Sequence, residues 1–128
     1  MSLLDVRELS VDYLAGGAAL HAVEGVSFAL EEGRSLGIVG ESGCGKTTVM
    51  LSLLRLLPQN GRIVGGQILF DGQDLLQLTE AKMRRVRWHR ISMVFQGAMN
   101  ALNPVRTIES QIVEALQVHG VAPSARAA

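Results

Sequence analysis

Residues 40–47 read Gly40-Glu41-Ser42-Gly43-Cys44-Gly45-Lys46-Thr47, which is the pattern G-x-x-x-x-G-K-T. Because the glycines of this stretch carry no side chain, the backbone can wrap closely and point successive N–H groups inward as a nest for an anion. The pattern places Lys46 where its ammonium can reach terminal phosphates, and Thr47 where its hydroxyl can hold Mg²⁺. The stretch therefore predicts a loop that binds the phosphate chain of a nucleotide.

The residues on both sides of the loop support this interpretation. The apolar run 34–39 predicts a buried parallel strand, and residues 46–57 predict an almost wholly apolar helix that Pro58 ends. A helix that begins directly after the loop adds its free N–H groups and its dipole to the positive potential. Strand, glycine loop and helix in this order are typical of the P-loop nucleoside triphosphatases, which have an α/β fold.

Length and composition limit the other possibilities. The 128 residues are about one domain, and 12 basic residues balance 12 acidic ones, which argues against a polyanion binder that relies on bulk charge. The single cysteine cannot form an internal disulfide, and the N-terminus does not resemble a signal peptide. The longest apolar run, around residues 49–57, is too short to span a bilayer. We therefore expect a cytoplasmic protein that associates with membranes only through a partner.

Alternating apolar residues predict an N-terminal antiparallel β subdomain. Residues 6–13 and 20–30 read as two strands joined by Ala15-Gly16-Gly17-Ala18, which predicts a hairpin. Residues 61–70 read as a further strand, broken by two glycines, and Asp71-Gly72 then supplies the positive φ angles of a tight turn. A second antiparallel unit is therefore expected after the helix.

The remaining chain predicts two helices and a strand between them. Thr79 is a good N-cap and predicts a helix from Glu80 to about Trp88. The apolar run Ile91-Ser92-Met93-Val94-Phe95 predicts a buried strand. Thr107 predicts the start of another helix, which has one apolar face and Gly120 at its C-terminal end.

With these landmarks in order, the chain resembles the nucleotide-binding subunit of an ABC transporter, and more narrowly the ATPases of oligopeptide, dipeptide and nickel importers. The Leu-Asn-Pro that follows Gln96 is the most specific feature, whereas Gly97-Ala98 replaces the more usual Asp-Pro. Four segments carry the resemblance: the hairpin with Tyr13, the loop 40–47, Gly66-Gln67-Ile68-Leu69-Phe70-Asp71-Gly72, and Ile91-Ser92-Met93-Val94-Phe95-Gln96 followed by Met99-Asn100-Ala101-Leu102-Asn103-Pro104.

The resemblance implies ATP and Mg²⁺ as cofactors and gives roles to particular residues. Tyr13 would stack on adenine, Thr48 would reach the α-phosphate, and Gln96 would meet Mg²⁺ or the attacking water and report to the membrane subunits. Lys46 and Gln96 are the candidate catalytic residues, and Thr47 and Gln96 are the candidate Mg²⁺ ligands. The candidate nucleotide-binding residues are Tyr13, Gly40, Glu41, Ser42, Gly43, Cys44, Gly45, Lys46, Thr47 and Thr48.

Four of these residues also have an ordinary structural interpretation. The alternative for Tyr13 is a half-buried strand tyrosine, for Thr48 a polar residue of a first helical turn, and for Gln96 a surface residue at a strand end. Cys44 lies at a helix N-terminus, where thiols are commonly reactive, or it is a small residue without a chemical role. We expect thiol reagents to modify Cys44 and MgATP to protect it.

The resemblance implies that residues 1–128 are the N-terminal part of one nucleotide-binding domain. After Gln96 the sequence contains no Leu-Ser-Gly-Gly-Gln signature, no Walker B strand ending in Asp-Glu and no switch histidine. Phosphoryl transfer in this family implies a carboxylate that positions the water and a signature loop from the opposite subunit. We therefore expect this incomplete domain to bind ATP without hydrolysing it, and to expose apolar surface at residues 49–57 and 91–95.

Two functions of different class fit these observations. The first is the ATP-binding subunit that powers a peptide-type importer on the inner face of the plasma membrane. Its partners would be a second ATPase subunit, transmembrane permeases and, indirectly, a solute-binding protein. The second is a truncated fragment or nucleotide-binding interaction module without catalysis.

Three other functional interpretations of the sequence are disfavoured. A P-loop kinase or GTPase of another family is disfavoured because no Asn-Lys-x-Asp motif occurs. Nucleic acid is not expected as a partner, because the basic residues at 82–90 fit the solvent face of a helix in a chain of zero net charge. The three histidines lack the spacing of metal ligands, so we expect no metal site made by them.

Overall fold

The computed structural model describes residues 2–121, which fall into two compact units divided between Met83 and Arg84, and each unit is described by itself. The strands are β1 (Ser2–Ala15), β2 (Ala18–Glu31), β3 (Gly61–Phe70) and β4 (Gln73–Asp74), and the helices are α1 (Lys46–Leu53), α2 (Glu80–Val86) and α3 (Ile108–Val118). Short 3₁₀ turns occupy Leu75–Gln77 and Ala98–Ala101.

The four strands form one antiparallel sheet in the order β2-β1-β3-β4. The predicted hairpin is confirmed, and its turn residues Gly16 and Gly17 have φ angles of 57° and 83°. Positive φ at both central positions matches the right-handed twist of the strands that such a turn joins. The predicted turn Asp71-Gly72 is confirmed in the same way, with φ angles of 50° and 77°.

The core of the first unit lies where one face of the sheet, helix α1 and the segment that follows β4 bury their apolar side chains. Val6, Leu9 and Val11 of β1 are buried on the covered face, and an irregularity in the pairing between Val6 and Leu9 accounts for their three-residue spacing. The buried apolar residues are Val6, Leu9, Val11, Val23, Val49, Leu53, Leu54, Ile68, Leu75, Leu78 and Met83. This unit therefore has a hydrophobic core of its own.

The two glycines that were expected to break β3 instead mark a bulge in a continuous strand. The register of β1 against β3 shifts between Arg7 and Ser10, and Gly66 has a φ of 93°. A Cβ on Gly66 would lie 2.5 Å from the carbonyl oxygens of Arg7 and Glu8, so only glycine fits there. Opposite the bulge, Ser27 Oγ accepts a hydrogen bond from the Glu8 N–H at 2.8 Å.

Two predictions near the phosphate-binding loop are wrong. Residues 34–40 form no strand, and α1 ends at Leu53 rather than at residue 57. The helix stops early because Arg55 adopts a left-handed backbone with a φ of 53°. Its guanidinium then donates to the carbonyl oxygens of Leu75 and Leu78 at 3.2 and 2.7 Å, which holds that turn.

In the second unit the predicted buried strand at residues 91–95 is also wrong. Ile91 makes only an isolated bridge with Arg87, and the side chains of Val94 and Phe95 are 86% and 57% exposed. The expected exposed apolar surface is therefore confirmed here, whereas within residues 49–57 only Leu56 is exposed. The predicted helix from Glu80 is confirmed and ends at Val86, two residues before the expected end.

The last predicted helix is confirmed as α3. The Oγ1 atom of Thr107 accepts a hydrogen bond from the Ser110 N–H at 3.2 Å, as an N-cap should. Beyond the helix Gly120 has a φ of 69°, and the Val121 N–H donates to the Leu116 carbonyl at 2.9 Å, which satisfies the C-terminal end. Among residues 2–121, no helix has both the length and the hydropathy needed to cross a bilayer.

Candidate functional site

The loop 40–47 needs glycine at positions where a side chain would collide with neighbouring atoms. Gly45 is the N-cap of α1 and has a φ of 97°, in the left-handed region. A Cβ on Gly45 would lie 2.8 Å from the carbonyl oxygen of Ala22 in β2. The loop therefore rests directly on the hairpin backbone, and any side chain at this position would lift it off.

The other two glycines of the loop differ in their surroundings. Gly43 has a φ of 81°, and a Cβ built there meets no atom within 4 Å. A Cβ on Gly40 would lie 2.5 Å from the Cys44 sulfur and 3.7 Å from the Lys46 Nζ atom. A side chain at position 40 would thus fill the cradle that the loop encloses.

The ammonium of Lys46 is held inside this loop. Its Nζ donates to the carbonyl oxygens of Gly40 and Glu41 at 2.5 and 2.7 Å, and lies 3.5 Å from Cys44 Sγ. Both acceptors are neutral carbonyls, whereas a charged oxygen makes a stronger hydrogen bond with an ammonium. An ionised phosphate oxygen is therefore a better partner for this ammonium than the loop itself.

The start of α1 also offers donors to an anion. No side chain caps the helix at Gly45, and its first turn holds no acidic residue. The N–H groups of that turn are therefore left to an external acceptor, and the dipole favours a negative one. Amide donors, an ammonium and the exposed Thr47 form a donor set that fits the phosphate chain of a nucleotide.

Tyr13 lies next to the start of the helix and is half-buried in β1. Its hydroxyl is 3.1 Å from Oγ1 of Thr48. A Cβ on Gly61 would lie 2.9 Å from the Tyr13 Cε1 atom, so the ring edge lies where a side chain at position 61 would be. Sequence reasoning missed Gly61, because Tyr13 becomes its neighbour only through the pairing of β1 with β3.

An apolar cavity of about 440 Å³ opens beside the loop in the first unit. Among its lining residues only Lys46 and Thr47 are polar, so its walls suit apolar side chains rather than a triphosphate. The residues that line it are Leu4, Phe28, Leu30, Leu36, Ile38, Lys46, Thr47, Met50 and Leu53.

Gln96 belongs to the second unit and lies on an exposed loop. Gly97, which follows it, has a φ of 73° and begins the 3₁₀ turn at 98–101. The Leu-Asn-Pro segment nearby is anchored by Gln111 of α3. Gln111 accepts from the Asn103 N–H at 2.7 Å and donates to the Asn103 carbonyl at 3.2 Å. Gln111 was not identified from the sequence.

Two histidines that are distant in sequence come together in the second unit. The ring of His119 stacks on Trp88 with centroids 4.3 Å apart and planes 6° apart. His89 lies edge-on to both rings, and its Nε2 is 3.0 Å from the His119 carbonyl oxygen. No cluster of three metal-ligand side chains occurs within residues 2–121.

The glycine loop and the uncapped helix after it define a P-loop protein. Comparison with known proteins agrees, because the profile of the ABC transporter family matches residues 23–127. The chain therefore belongs to the ABC transporter family.

Three relatives illustrate the branch of the family. A probable peptide ABC transporter ATP-binding protein of Sinorhizobium fredii is 50% identical over 92% of this chain and 36% of its own length. The dipeptide transport ATP-binding protein of Bacillus subtilis is 44% identical over 91% of this chain and 35% of its own. The oligopeptide transport ATP-binding protein of the same organism is 41% identical over 91% and 33%. The chain thus spans about a third of the length of these relatives.

Proposed function

We propose that this chain binds MgATP through the loop 40–47 as the ATP-binding part of a peptide-type ABC importer. The observation that carries the proposal is the Lys46 ammonium, held by two loop carbonyls in front of an uncapped helix N-terminus. A polyanion fits this arrangement because the ammonium and the uncapped N–H groups of the helix are hydrogen-bond donors, and the charge and the helix dipole are both positive there.

The roles of the individual residues follow the chemistry of their side chains. Lys46 binds the β- and γ-phosphates, Thr48 the α-phosphate, and Tyr13 the adenine. Thr47 and Gln96 hold Mg²⁺, which neutralises charge on the phosphates when it is bound. The backbone N–H groups of Gly40, Glu41, Ser42, Gly43, Cys44 and Gly45 surround the phosphate oxygens.

The wider role is proposed from the relatives, which are named as ATP-binding proteins for peptide, dipeptide and oligopeptide transport. In this role residues 1–128 are the N-terminal part of one nucleotide-binding domain on the cytoplasmic face of the membrane. A second ATPase subunit completes the catalytic site, and the loop around Asn103 and Pro104 faces the permeases. A solute-binding protein acts indirectly through those permeases.

We further propose that these 128 residues alone bind ATP without hydrolysing it. Hydrolysis needs a group that positions the attacking water, and the sequence after Gln96 holds no Asp-Glu pair or Leu-Ser-Gly-Gly-Gln segment. A phosphate-release assay with MgATP should therefore give no more phosphate than the Lys46→Ala variant does. Turnover above that background would contradict this second proposal.

Binding is tested by titration with a fluorescent ATP analogue. Lys46→Ala should weaken binding at least about tenfold, because it removes a charged hydrogen-bond donor. Lys82 is the only other lysine and is exposed on α2, so Lys82→Ala is the matched control and should change the affinity by less than about twofold. Equal affinities for the two variants would contradict the proposed site.

Cys44 gives an independent test, because it is the only cysteine and is exposed. A maleimide should label Cys44 in the free chain, and saturating MgATP should slow that labelling. Lys46→Ala should lose the protection at the same nucleotide concentration. Equal labelling rates with and without MgATP would argue against the loop as the binding site.

A further inference from the structure

A chain of contacts links β3, β1 and α1 beside the phosphate-binding loop. Gly61 leaves room for the Tyr13 ring, and the Tyr13 hydroxyl lies 3.1 Å from Thr48 Oγ1. We infer that Tyr13 donates to Thr48 and so directs the Thr48 hydroxyl toward the α-phosphate, with Gly61 as the residue that keeps the ring in place. This inference rests on the proposed function, and it makes Tyr13 a positioning residue through its hydroxyl.

The direction of the hydrogen bond follows from what each partner can offer. An ionised phosphate oxygen only accepts hydrogen bonds, so Thr48 must donate its single hydroxyl proton to the phosphate that it binds. Its oxygen is then left to accept, and the Tyr13 hydroxyl is the donor within reach. The relay therefore runs from the tyrosine proton to the threonine oxygen, and from the threonine proton to the phosphate.

Burial makes this contact matter for Thr48. The residue is only 9% exposed, and its carbonyl already accepts from Ser52 Oγ at 2.7 Å. The Tyr13 hydroxyl is the hydrogen-bond partner that the structure gives to Thr48 Oγ1. Without it, nothing in this contact fixes the direction of the threonine hydroxyl.

Gly61 fixes the other end of the chain of contacts. A Cβ at position 61 would lie 2.9 Å from Tyr13 Cε1, 3.1 Å from Leu57 Cβ and 3.3 Å from the Pro58 carbonyl oxygen. Two of these three atoms cannot rotate away, so the ring is the part that must move. A displaced ring carries its hydroxyl away from Thr48.

The experiment compares MgATP with magnesium tripolyphosphate, which has the phosphate chain but no base. Tyr13→Phe and Thr48→Val should each weaken both ligands about fivefold, the usual effect of one hydrogen bond. The double variant should be no weaker than either single one, because both remove the same relay. Thr48→Ser keeps the hydroxyl and should recover most of the affinity that Thr48→Val loses.

Glycine variants test whether Gly61 keeps the Tyr13 ring in place. Gly61→Ala should weaken both ligands as Tyr13→Phe does, whereas Gly65→Ala on the same strand should not. A Cβ on Gly65 meets only Ser10 at an ordinary 3.7 Å, so this variant is the matched control. If Gly61→Ala does not fold, as judged by circular dichroism, the Tyr13 and Thr48 variants still decide.

Three outcomes decide between this inference and the proposal beneath it. If Tyr13→Phe binds both ligands like the wild type while Lys46→Ala does not, the relay is wrong and the nucleotide site stands. If Lys46→Ala and Lys82→Ala bind alike, the site itself fails. If Tyr13→Ala weakens the binding of MgATP but not of magnesium tripolyphosphate, while Tyr13→Phe binds both as the wild type does, the relay is wrong. Tyr13 would then act only by stacking on the base.

Discussion

The two units of this chain are stabilised in different ways. The first has a core of buried side chains from three strands, two helices and a 3₁₀ turn. In the second, no residue between 84 and 121 is buried, and α3 is held by its caps and by local hydrogen bonds. The first unit is therefore stabilised mainly by burial of apolar side chains, whereas the stability of the second depends on contacts between residues close in sequence.

The comparison extends to the candidate site. The phosphate-binding loop lies against β2 at Gly45, and α1 is joined to β1 through Thr48 and Tyr13. Gln96, the other candidate Mg²⁺ ligand, lies on an exposed loop of the second unit. Residues expected to act on one nucleotide thus come from regions of unequal packing, and only the residues of the first unit sit on a buried scaffold.

The largest difference is expected between two isoleucines. Ile68 on β3 is 0% exposed, whereas Ile112 on α3 is 55% exposed. Ile68→Ala should lower the free energy of unfolding of its unit by about 2–5 kcal/mol, because it leaves a cavity in the core. Ile112→Ala should cost less than about 0.5 kcal/mol. Urea unfolding followed by circular dichroism measures both, and equal losses would remove the distinction between the units.

A second test concerns the bulge between β1 and β3. Gly66→Ala and Gly72→Ala both place a side chain at positive φ, but only Gly66 has backbone oxygens at 2.5 Å from the new Cβ. Gly66→Ala should therefore be less stable than Gly72→Ala by about 1–3 kcal/mol, the usual cost of overpacking. The same unfolding experiment applies, and a smaller loss for Gly66→Ala would show that the bulge can relax.

The second unit should respond instead to the loss of a cap. Thr107→Ala removes the side-chain acceptor for the Ser110 N–H and should destabilise α3 by about 1 kcal/mol. Thr107→Ser keeps the hydroxyl and is the control. Hydrogen exchange of the α3 amides measures the effect, which should be absent from the core amides of β1. Unchanged exchange in α3 would show that the cap does not limit its opening.

The smallest expected effect is a pH dependence at the hairpin. The pKa of His21 is raised above its ordinary value of 6.5, first by its hydrogen bond to Asp12 and next by the charge of that carboxylate. The same pKa is lowered slightly by burial and raised slightly by the charge of Glu24. Because the folded value exceeds the unfolded one, this stabilisation is complete below the unfolded pKa and disappears as pH rises through the folded pKa.

Asp12→Asn tests this pair, since the two side chains are 2.7 Å apart. The variant should return the His21 pKa toward its ordinary value, as followed by NMR titration of the ring. It should also lose a little stability at about pH 5 and almost none at about pH 8. A His21 pKa that does not fall in the variant would show that Asp12 is not the cause.

The sequence predicted those elements whose signals are local. The turns at Gly16-Gly17 and Asp71-Gly72, the cap Thr107 before α3 and the glycine loop before α1 act on the residues beside them, and each is found in the structure. These positions can be predicted locally because few residue types adopt a left-handed φ readily, and few can cap the N-terminus of a helix. The roles assigned to the loop residues stay predictions until a nucleotide is bound.

The failures share a cause. Residues 34–39 and 91–95 are apolar runs, and a run of that kind indicates burial without indicating a neighbour. A strand also needs a partner for its N–H and C=O groups, and within residues 2–121 neither run pairs into a ladder. The early end of α1 came from the guanidinium of Arg55 and two distant carbonyls, which no local pattern contains.

The stacked pair of Trp88 and His119 has a practical consequence for spectroscopy. Trp88 is the only tryptophan of the chain and Tyr13 the only tyrosine, so each unit carries its own intrinsic fluorophore. Light absorbed by the indole alone reports on residues 84–121. The His119 ring covers one face of that indole, so the emission of Trp88 should change when the two rings separate. The state of the pair can then be followed without any attached dye.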